Sequence, residues 1–263
     1  MIGTIRTVCA VVAAALATLA LAPVHYAALH LGFPGKGFAP RLWHRAVVRV
    51  LGVRVHVTGA MSAERPLFIA SNHISWLDIM VIGSVAPVSF ISKSELAGWP
   101  GIGWLARMQR SVFIERQNKR KSGEQASEIG RRLKEGDVMV LFAEGTTSDG
   151  NMVLPFKSTL FGAAKLVLDE GAVERVVVQP LAVAYTRLHG LPMNRRHRPM
   201  VSWIGDADLV PQIRSVLREG GIDAQVSFGE PFEFTPATNR KAICARAEAA
   251  VRGLHRKALR DPA

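Results

Sequence analysis

Pro66-Leu-Phe-Ile-Ala70 and, directly after it, Ser71-Asn72-His73-Ile74-Ser75-Trp76-Leu77-Asp78 form the stretch from which the rest of the chain can be ordered. Leu67 to Ala70 is continuously apolar, as expected of a central strand covered on both faces, and the apolar run 76–84 reads as a helix. A histidine at a strand's exit, with an aspartate five residues on, lets the carboxylate reach back to one ring nitrogen while the other faces a cleft. The aspartate then fixes the tautomer and stabilises the imidazolium, so His73 can act as general base toward a nucleophile supplied by the substrate. The same letters carry a structural reading. Ser75-x-x-Asp78 resembles a capping box, with Ser75 as N-cap and Asp78 at N3, and capping is compatible with catalysis.

Working outward, strands are expected at 54–58, 88–91, 111–115, 138–142, 176–185, 201–204 and 225–228. Pro180 interrupts the long apolar strand 176–185, so a bulge or an edge position is expected there. Helices are expected at 39–51, 119–134, 157–170, 211–218 and 238–259. The first of these sets Leu42, Ala46, Val47 and Val50 against a face of Arg41, Arg45 and Arg49. This alternation predicts an α/β fold, a single layered domain with a mostly parallel mixed sheet flanked by helices. Three strand ends carry residues ready for chemistry: His73 with Asp78, Arg116, and Glu144-Gly145. In open α/β sheets ligands gather at the carboxyl ends of strands, so the three are expected to converge.

Composition narrows the class. The 263 residues are 49% hydrophobic, enough for a sizeable core, and Cys9 and Cys244 leave no cysteine metal cluster and no expected bridge. A net charge of +12 suits nucleic acid, an anionic membrane surface or a phosphorylated substrate, but 7% aromatic content without a recognisable binding motif argues against nucleic acid. Gly101-Ile-Gly-Trp-Leu-Ala106 matches the dinucleotide fingerprint in letters only, since Trp99-Pro100 precedes it in place of a strand. No Gly-x-Ser-x-Gly elbow of a serine hydrolase is present.

The N-terminus points to a membrane. Residues 8–21 are uncharged and cover about 21 Å as a helix at ~1.5 Å per residue, short of a ~30 Å hydrocarbon core unless the helix continues to Leu31 past Pro23. A cleaved signal peptide, a kinked single span and a hairpin or tilted anchor embedded from one face all fit. Basic residues on both sides (Arg6, then Lys36, Arg41, Arg45 and Arg49) favour the embedded anchor. Residues 1–37 are therefore expected to form a helical membrane anchor and 38–263 the catalytic domain.

The order and spacing of these pieces resembles the glycerolipid acyltransferase family, whose best-known members are the 1-acylglycerol-3-phosphate acyltransferases. Its first motif, Asn-His-x4-Asp, corresponds to Asn72, His73 and Asp78, and its second, Phe-Ile-x-Arg, to Phe113-Ile-Glu-Arg116. Its third corresponds to Phe142-Ala-Glu144-Gly145-Thr146-Thr-Ser148, and its fourth, a proline in an apolar strand, to Pro180. Arg110 stands where many members carry glycine, Ala143 replaces the usual proline, and Thr159 stands where a glycine often follows the family's lysine, here Lys157. Residues 184–192, with 155–158 upstream, resemble bacterial members that acylate lyso-ornithine lipid.

The resemblance implies transfer of a fatty acyl group from acyl-CoA or acyl carrier protein to the hydroxyl of a lysolipid. The acceptor is expected to be 1-acylglycerol-3-phosphate, with lyso-ornithine lipid as the alternative. It implies His73 as base and Asp78 as its support, with Asn72, Phe113, Arg116, Glu144, Gly145, Thr146, Lys157 and Pro180 binding substrate. No metal or resident cofactor is implied, and the setting is the membrane, on the cytoplasmic face of the inner membrane. A non-enzymatic membrane-surface protein is the rival from another class, and it predicts that His73 and Asp78 are dispensable.

Overall fold

A computed structural model describes residues 2–31, 37–114, 122–169, 171, 173–205 and 207–263. Strands β1 (Val53–Thr58), β2 (Leu67–Ser71), β3 (Ser89–Lys93), β4 (Val112–Ile114), β5 (Val138–Phe142), β6 (Val176–Leu188), β7 (Leu191–Pro192), β8 (Ile222–Phe228) and β9 (Phe232–Phe234) join in one sheet. Its order is β1-β8-β6-β2-β5-β3-β4, with β7 and β9 added to β6. From β6 to β4 every pairing is parallel, while β8 runs antiparallel to β6 and carries β1 parallel to itself. The sheet is therefore mixed and mostly parallel, as the sequence predicts.

The helices are α1 (Ile2–His30), α2 (Phe38–Val50), α3 (Leu77–Val85), α4 (Ile102–Met108), α5 (Ser122–Lys134), α6 (Gly162–Asp169), α7 (Leu209–Glu219) and α8 (Arg240–Arg260). β2 and β5 are buried at every position, which is why their sequences show no polar alternation. Alternate residues nonetheless serve different layers. Leu67 and Ile69 pack with Leu77, Val81 and Ile82 of α3 on one face. Phe68 and Ala70 pack with Ile129 and Leu133 of α5 and Ala247 and Val251 of α8 on the other. Each fully buried Leu, Ile or Phe here contributes about 1.5–3 kcal/mol of burial free energy.

Three expectations need correction. Residues 201–204 form turn and irregular structure, not a strand; Val201 is buried and Trp203 N donates to Ile74 O at 2.9 Å, so the apolar pattern there belongs to a loop docked beside the site. Pro180 lies at neither an edge nor a bulge: β6 is central, and its register shifts at Tyr185/Arg187. Pro180 pairs with Ala70 on one side. On the other, β6 changes partner from β9 at Val178 to β8 at Leu181, and Gly229 N donates to Pro180 O at 2.8 Å. The missing proline N–H faces that gap, where no ladder bond is forfeited.

The third concerns the N-terminus: of the two embedded forms expected there, a hairpin or a tilted anchor, the hairpin is replaced by one continuous 29-residue helix with Pro23 inside. It is long and apolar enough to cross a membrane. Yet it is bonded to the domain along its length. Arg6 donates to Leu217 O and, at 2.6 Å, to Leu51 O; Trp43 Nε1 donates to Thr18 Oγ1 at 2.8 Å; and His25 Nε2 lies 2.6 Å from Met108 O. Its other faces leave Val8, Val11, Leu16 and Leu19 exposed.

Candidate active site

β2 and β5 are neighbours in parallel register, with Ser71 beside Phe142, so the segments leaving their carboxyl ends run side by side. The first delivers His73 and the second Glu144. Ala143 N donates to Ser71 O at 2.9 Å and Ser148 N to His73 O at 2.8 Å, which ties the two exits together. Gly145, at φ 72, turns the second segment in the left-handed region that favours glycine.

His73 is mostly covered, with 16% of its side chain exposed, and its ring stacks on Phe142 at 3.8 Å between centroids and 13° between planes. Its Nδ1 lies 2.8 Å from Asp78 Oδ2. That oxygen also accepts from Ile74 N at 2.6 Å and Ser75 N at 2.9 Å, and Tyr185 donates its hydroxyl to Oδ1 at 2.7 Å. The surrounding donors match an acceptor-only carboxylate, so the shared proton belongs on His73 Nδ1 and the lone pair on Nε2. Among the described residues, Nε2 makes no hydrogen bond. Asp78 is fully buried, and burial first, then the Asp78 charge, hold the Tyr185 hydroxyl well above its ordinary pKa, so it stays a neutral donor.

Helix α3 has Trp76, not Ser75, at its N-cap and no side-chain cap bond, so the expected capping box does not form; what remains of it is the Ser75 amide bonded to Asp78. The carboxylate that receives the Ser75 amide also receives the histidine, so the turn opening α3 and the imidazole are fixed by one oxygen. Tyr185 is the member that reasoning from motifs leaves out. Its signal is a lone hydroxyl-bearing aromatic in an apolar strand, two residues beyond Val183 and so on the same strand face.

Glu144 is buried, and its Oε1 accepts from His73 N at 3.1 Å, while its Oε2 has no hydrogen-bond partner among the described residues. Burial raises its pKa to about 8, against the pull of the His73 and Leu154 amides, so it is largely protonated near neutral pH. Asn72 turns its amide to Val183, donating to its carbonyl at 3.0 Å and accepting its N–H at 2.8 Å. It thereby pins the end of β2 to β6. Thr146 is half-buried in the same turn, and the Thr147 hydroxyl donates to Trp203 O.

The remaining expected site residues stand apart. Lys157 is exposed, with its backbone N–H donating to Ala143 O at 2.8 Å. Phe113 sits on β4, with the Arg107 guanidinium 5.9 Å from its ring centre. Pro180 is embedded in the sheet opposite Ala70. Arg116 lies outside the described residues.

Around this centre lie further polar groups. Asn151 and Asp149 form a hydrogen-bonded pair at the end of the Glu144 loop, and Arg198 Nη1 donates to Asn151 Oδ1 at 2.9 Å. His255 of α8 is buried with its Nε2 unpartnered among the described residues. Burial, then the nearby Arg198 charge, lower its pKa to about 4, so it is a neutral imidazole at physiological pH.

Residues 52–184, which contain His73, Asp78 and Glu144, match the sequence profile of the family described as Acyltransferase. The chain is 50% identical to the lyso-ornithine lipid O-acyltransferase of Brucella abortus (strain 2308) over 98% of this chain and 97% of that one. It is 34% identical to the 1-acyl-sn-glycerol-3-phosphate acyltransferase of Neisseria meningitidis serogroup B over 61% of this chain and 60% of that one. The crystal structure of the 1-acyl-sn-glycerophosphate acyltransferase PlsC from Thermotoga maritima shares the fold, with a TM-score of 0.54 and 20% identity over 94% of this chain and 97% of that one.

Proposed function

The chain belongs to the acyltransferase family, and from that premise we propose that it carries a fatty acyl group from a thioester to the free hydroxyl of lyso-ornithine lipid, with His73 as general base. The observation that carries the mechanism is the 2.8 Å contact between His73 Nδ1 and Asp78 Oδ2, which leaves Nε2 as the basic nitrogen. Nε2 takes the acceptor hydroxyl's proton as its oxygen attacks the thioester carbonyl. The tetrahedral adduct collapses with cleavage of the C–S bond, and the departing thiolate recovers the proton from the imidazolium. Asp78 compensates the transient positive charge, as the buried carboxylate does in a serine protease triad, with the substrate hydroxyl replacing the serine. Acyl-CoA or acyl carrier protein supplies the thioester, and the reaction draws on no metal or resident cofactor. Glu144, Gly145 and Thr146 form the acceptor side of the site in this reading, with Asn72 setting its frame, and Arg116 keeps the acceptor-binding role that the motif implies for it.

Lyso-ornithine lipid is preferred as acceptor because the similarity to the Brucella enzyme runs through nearly the whole chain. The Neisseria enzyme supports 1-acylglycerol-3-phosphate as the second reading, over a shorter span. The two separate when the purified, detergent-solubilised protein is offered both acceptors with one labelled acyl donor. A higher kcat/KM for lyso-ornithine lipid is expected, and a preference for 1-acylglycerol-3-phosphate would reverse the assignment.

The protein is membrane-associated, and α1 is proposed to lie within one leaflet beside the domain. From Arg6 to His25 the helix covers about 28 Å at ~1.5 Å per residue. It is bonded to the domain near both ends and at Thr18. Crossing the bilayer in that pose would drag the domain's polar surface into hydrocarbon. A cytoplasmic-face location suits the donors and the basic surface, which an anionic leaflet attracts.

A further inference from the structure

We infer that the charged pair of loops beside His73 is a recognition site for a zwitterionic amino-acid head group, in which Asp149 receives an ammonium and Arg195 with Arg198 receives a carboxylate. The inference rests on the lyso-ornithine reading and deepens it. Once its α-amine is acylated, ornithine presents one free carboxylate and one side-chain ammonium, separated by a short aliphatic chain. A phosphate monoester presents negative charge alone. A site for the first needs both signs close together, whereas an acid in a site for the second is repulsive.

The two loops are stitched to the backbone that carries His73. On the first, Ser148 N donates to His73 O at 2.8 Å, and a side chain added at Gly150 would meet Ile74 Cγ2 at 3.3 Å. On the second, Trp203 N donates to Ile74 O at 2.9 Å. Asp149 stands on the first loop, and Arg195 and Arg198 on the second. Asn151 clamps them together, donating through Nδ2 to Asp149 Oδ2 at 2.8 Å and to Arg195 O at 3.2 Å, and accepting from Arg198 Nη1 at 2.9 Å. Arg198 Nη2 also donates to Met193 O at 3.0 Å, so this guanidinium is fixed in advance of any ligand.

The pair is not closed on itself. Among the described residues no direct hydrogen bond joins Asp149 to either arginine; Asn151 stands between them. Arg195 is exposed and Asp149 half-buried, so both charges are within reach of a solute. Arg198 Nε is buried with no partner among the described residues. Burial works to raise the Asp149 pKa, but its Asn151 bonds and the Arg195 charge outweigh it and hold the carboxyl below its ordinary range, so the acid is charged at neutral pH. The cluster and the dyad also share a neighbour. Buried His255 lies within electrostatic reach of Arg198, Asp78 and Asp149 together.

The test pairs protein variants with altered acceptors. Lyso-ornithine lipid, its N-(3-hydroxyacyl)norvaline analogue, which lacks the ammonium, and its N-(3-hydroxyacyl)putrescine analogue, which lacks the carboxylate, are assayed with the detergent-solubilised full chain. Analogues too slow to turn over are measured as competitive inhibitors. Asp149→Asn is expected to raise KM for lyso-ornithine lipid and the putrescine analogue about ten-fold while changing the norvaline analogue less than about two-fold. Arg195→Ala is expected to do the converse, weakening the two carboxylate-bearing compounds and sparing the putrescine analogue. A uniform rise across all three acceptors, or no change in any, overturns the inference and leaves the lyso-ornithine reading intact. Wild-type protein that ignores lyso-ornithine lipid but acylates 1-acylglycerol-3-phosphate overturns that reading, and this inference with it.

Discussion

Tyr185 donates to Asp78 Oδ1 at 2.7 Å, on the carboxylate oxygen opposite the one that receives His73. The two oxygens thus have separate duties, and the phenol fixes the plane in which the carboxylate meets the imidazole. Tyr185→Phe keeps the ring and removes only the donor. Stability is expected to fall by about 1–3 kcal/mol, the cost of an unsatisfied buried carboxylate oxygen. kcat is expected to fall more than KM changes, because orientation is lost while acceptor contacts remain. Thermal unfolding and steady-state kinetics on one preparation measure both; unchanged kcat would remove Tyr185 from the catalytic support.

Glu144 makes stability depend on pH. Burial raises its folded-state pKa from 4.5 to about 8, so the fold prefers the protonated form. This contribution is fully present below the unfolded pKa and is lost as pH rises through about 8. Glu144→Gln keeps the shape and removes the titration. The decline of Tm from pH 5 to 8.5 is expected to be shallower in the variant than in the wild type, and parallel curves would contradict the account.

Arg110 occupies the left-handed region at φ 58, a geometry that glycine adopts without the Cβ penalty. Its side chain offsets the strain by pairing with Asp137 at 3.1 Å and Glu135 at 3.4 Å. Arg110→Ala loses the pairs and keeps the strain, whereas Arg110→Gly loses the pairs and relieves it. The alanine variant is expected to be less stable than the glycine variant by about 1 kcal/mol. Denaturant titration in detergent decides, and equal stability would mean that the turn is not strained.

The exposed apolar face of α1 predicts its own assay. Leu16 and Leu19 are 61% and 72% exposed and belong in lipid if the helix is embedded. Leu16→Glu with Leu19→Glu is expected to weaken binding to anionic vesicles at least ten-fold, at roughly 1.5–3 kcal/mol of apolar burial per leucine. The circular dichroism spectrum should be unchanged. Undiminished vesicle binding would place the membrane contact elsewhere.

Much of this architecture is legible in the sequence, for particular reasons. β2 is recognisable because a strand buried on both faces has no polar positions, and His73 stands out because it ends that strand. The motif letters likewise foretell that Glu144 and His73 meet. Tyr185 stands out in its strand, but its partner is not legible, since its meeting with Asp78 depends on β6 pairing with β2, in the register Ser71 to Leu181, across more than a hundred residues. Residues 201–204 mislead because Val201, Trp203 and Ile204 give a strand's composition, whereas only the consecutive Val201 and Ser202 are buried, Ile204 is exposed and the backbone turns. Asn72 looks like a ligand contact in sequence, yet its amide is turned to the Val183 backbone. Pro180 reads as an interruption, and only the exchange of β9 for β8 beside it explains its place in a central strand.

The most direct test of the mechanism is acyl transfer to lyso-ornithine lipid by His73→Ala beside the wild type, with folding verified by thermal unfolding. If His73 Nε2 removes the acceptor's proton, kcat falls by roughly a hundred- to ten-thousand-fold while KM stays nearly constant. A folded His73→Ala protein that turns over at the wild-type rate would contradict the assignment of His73 as base.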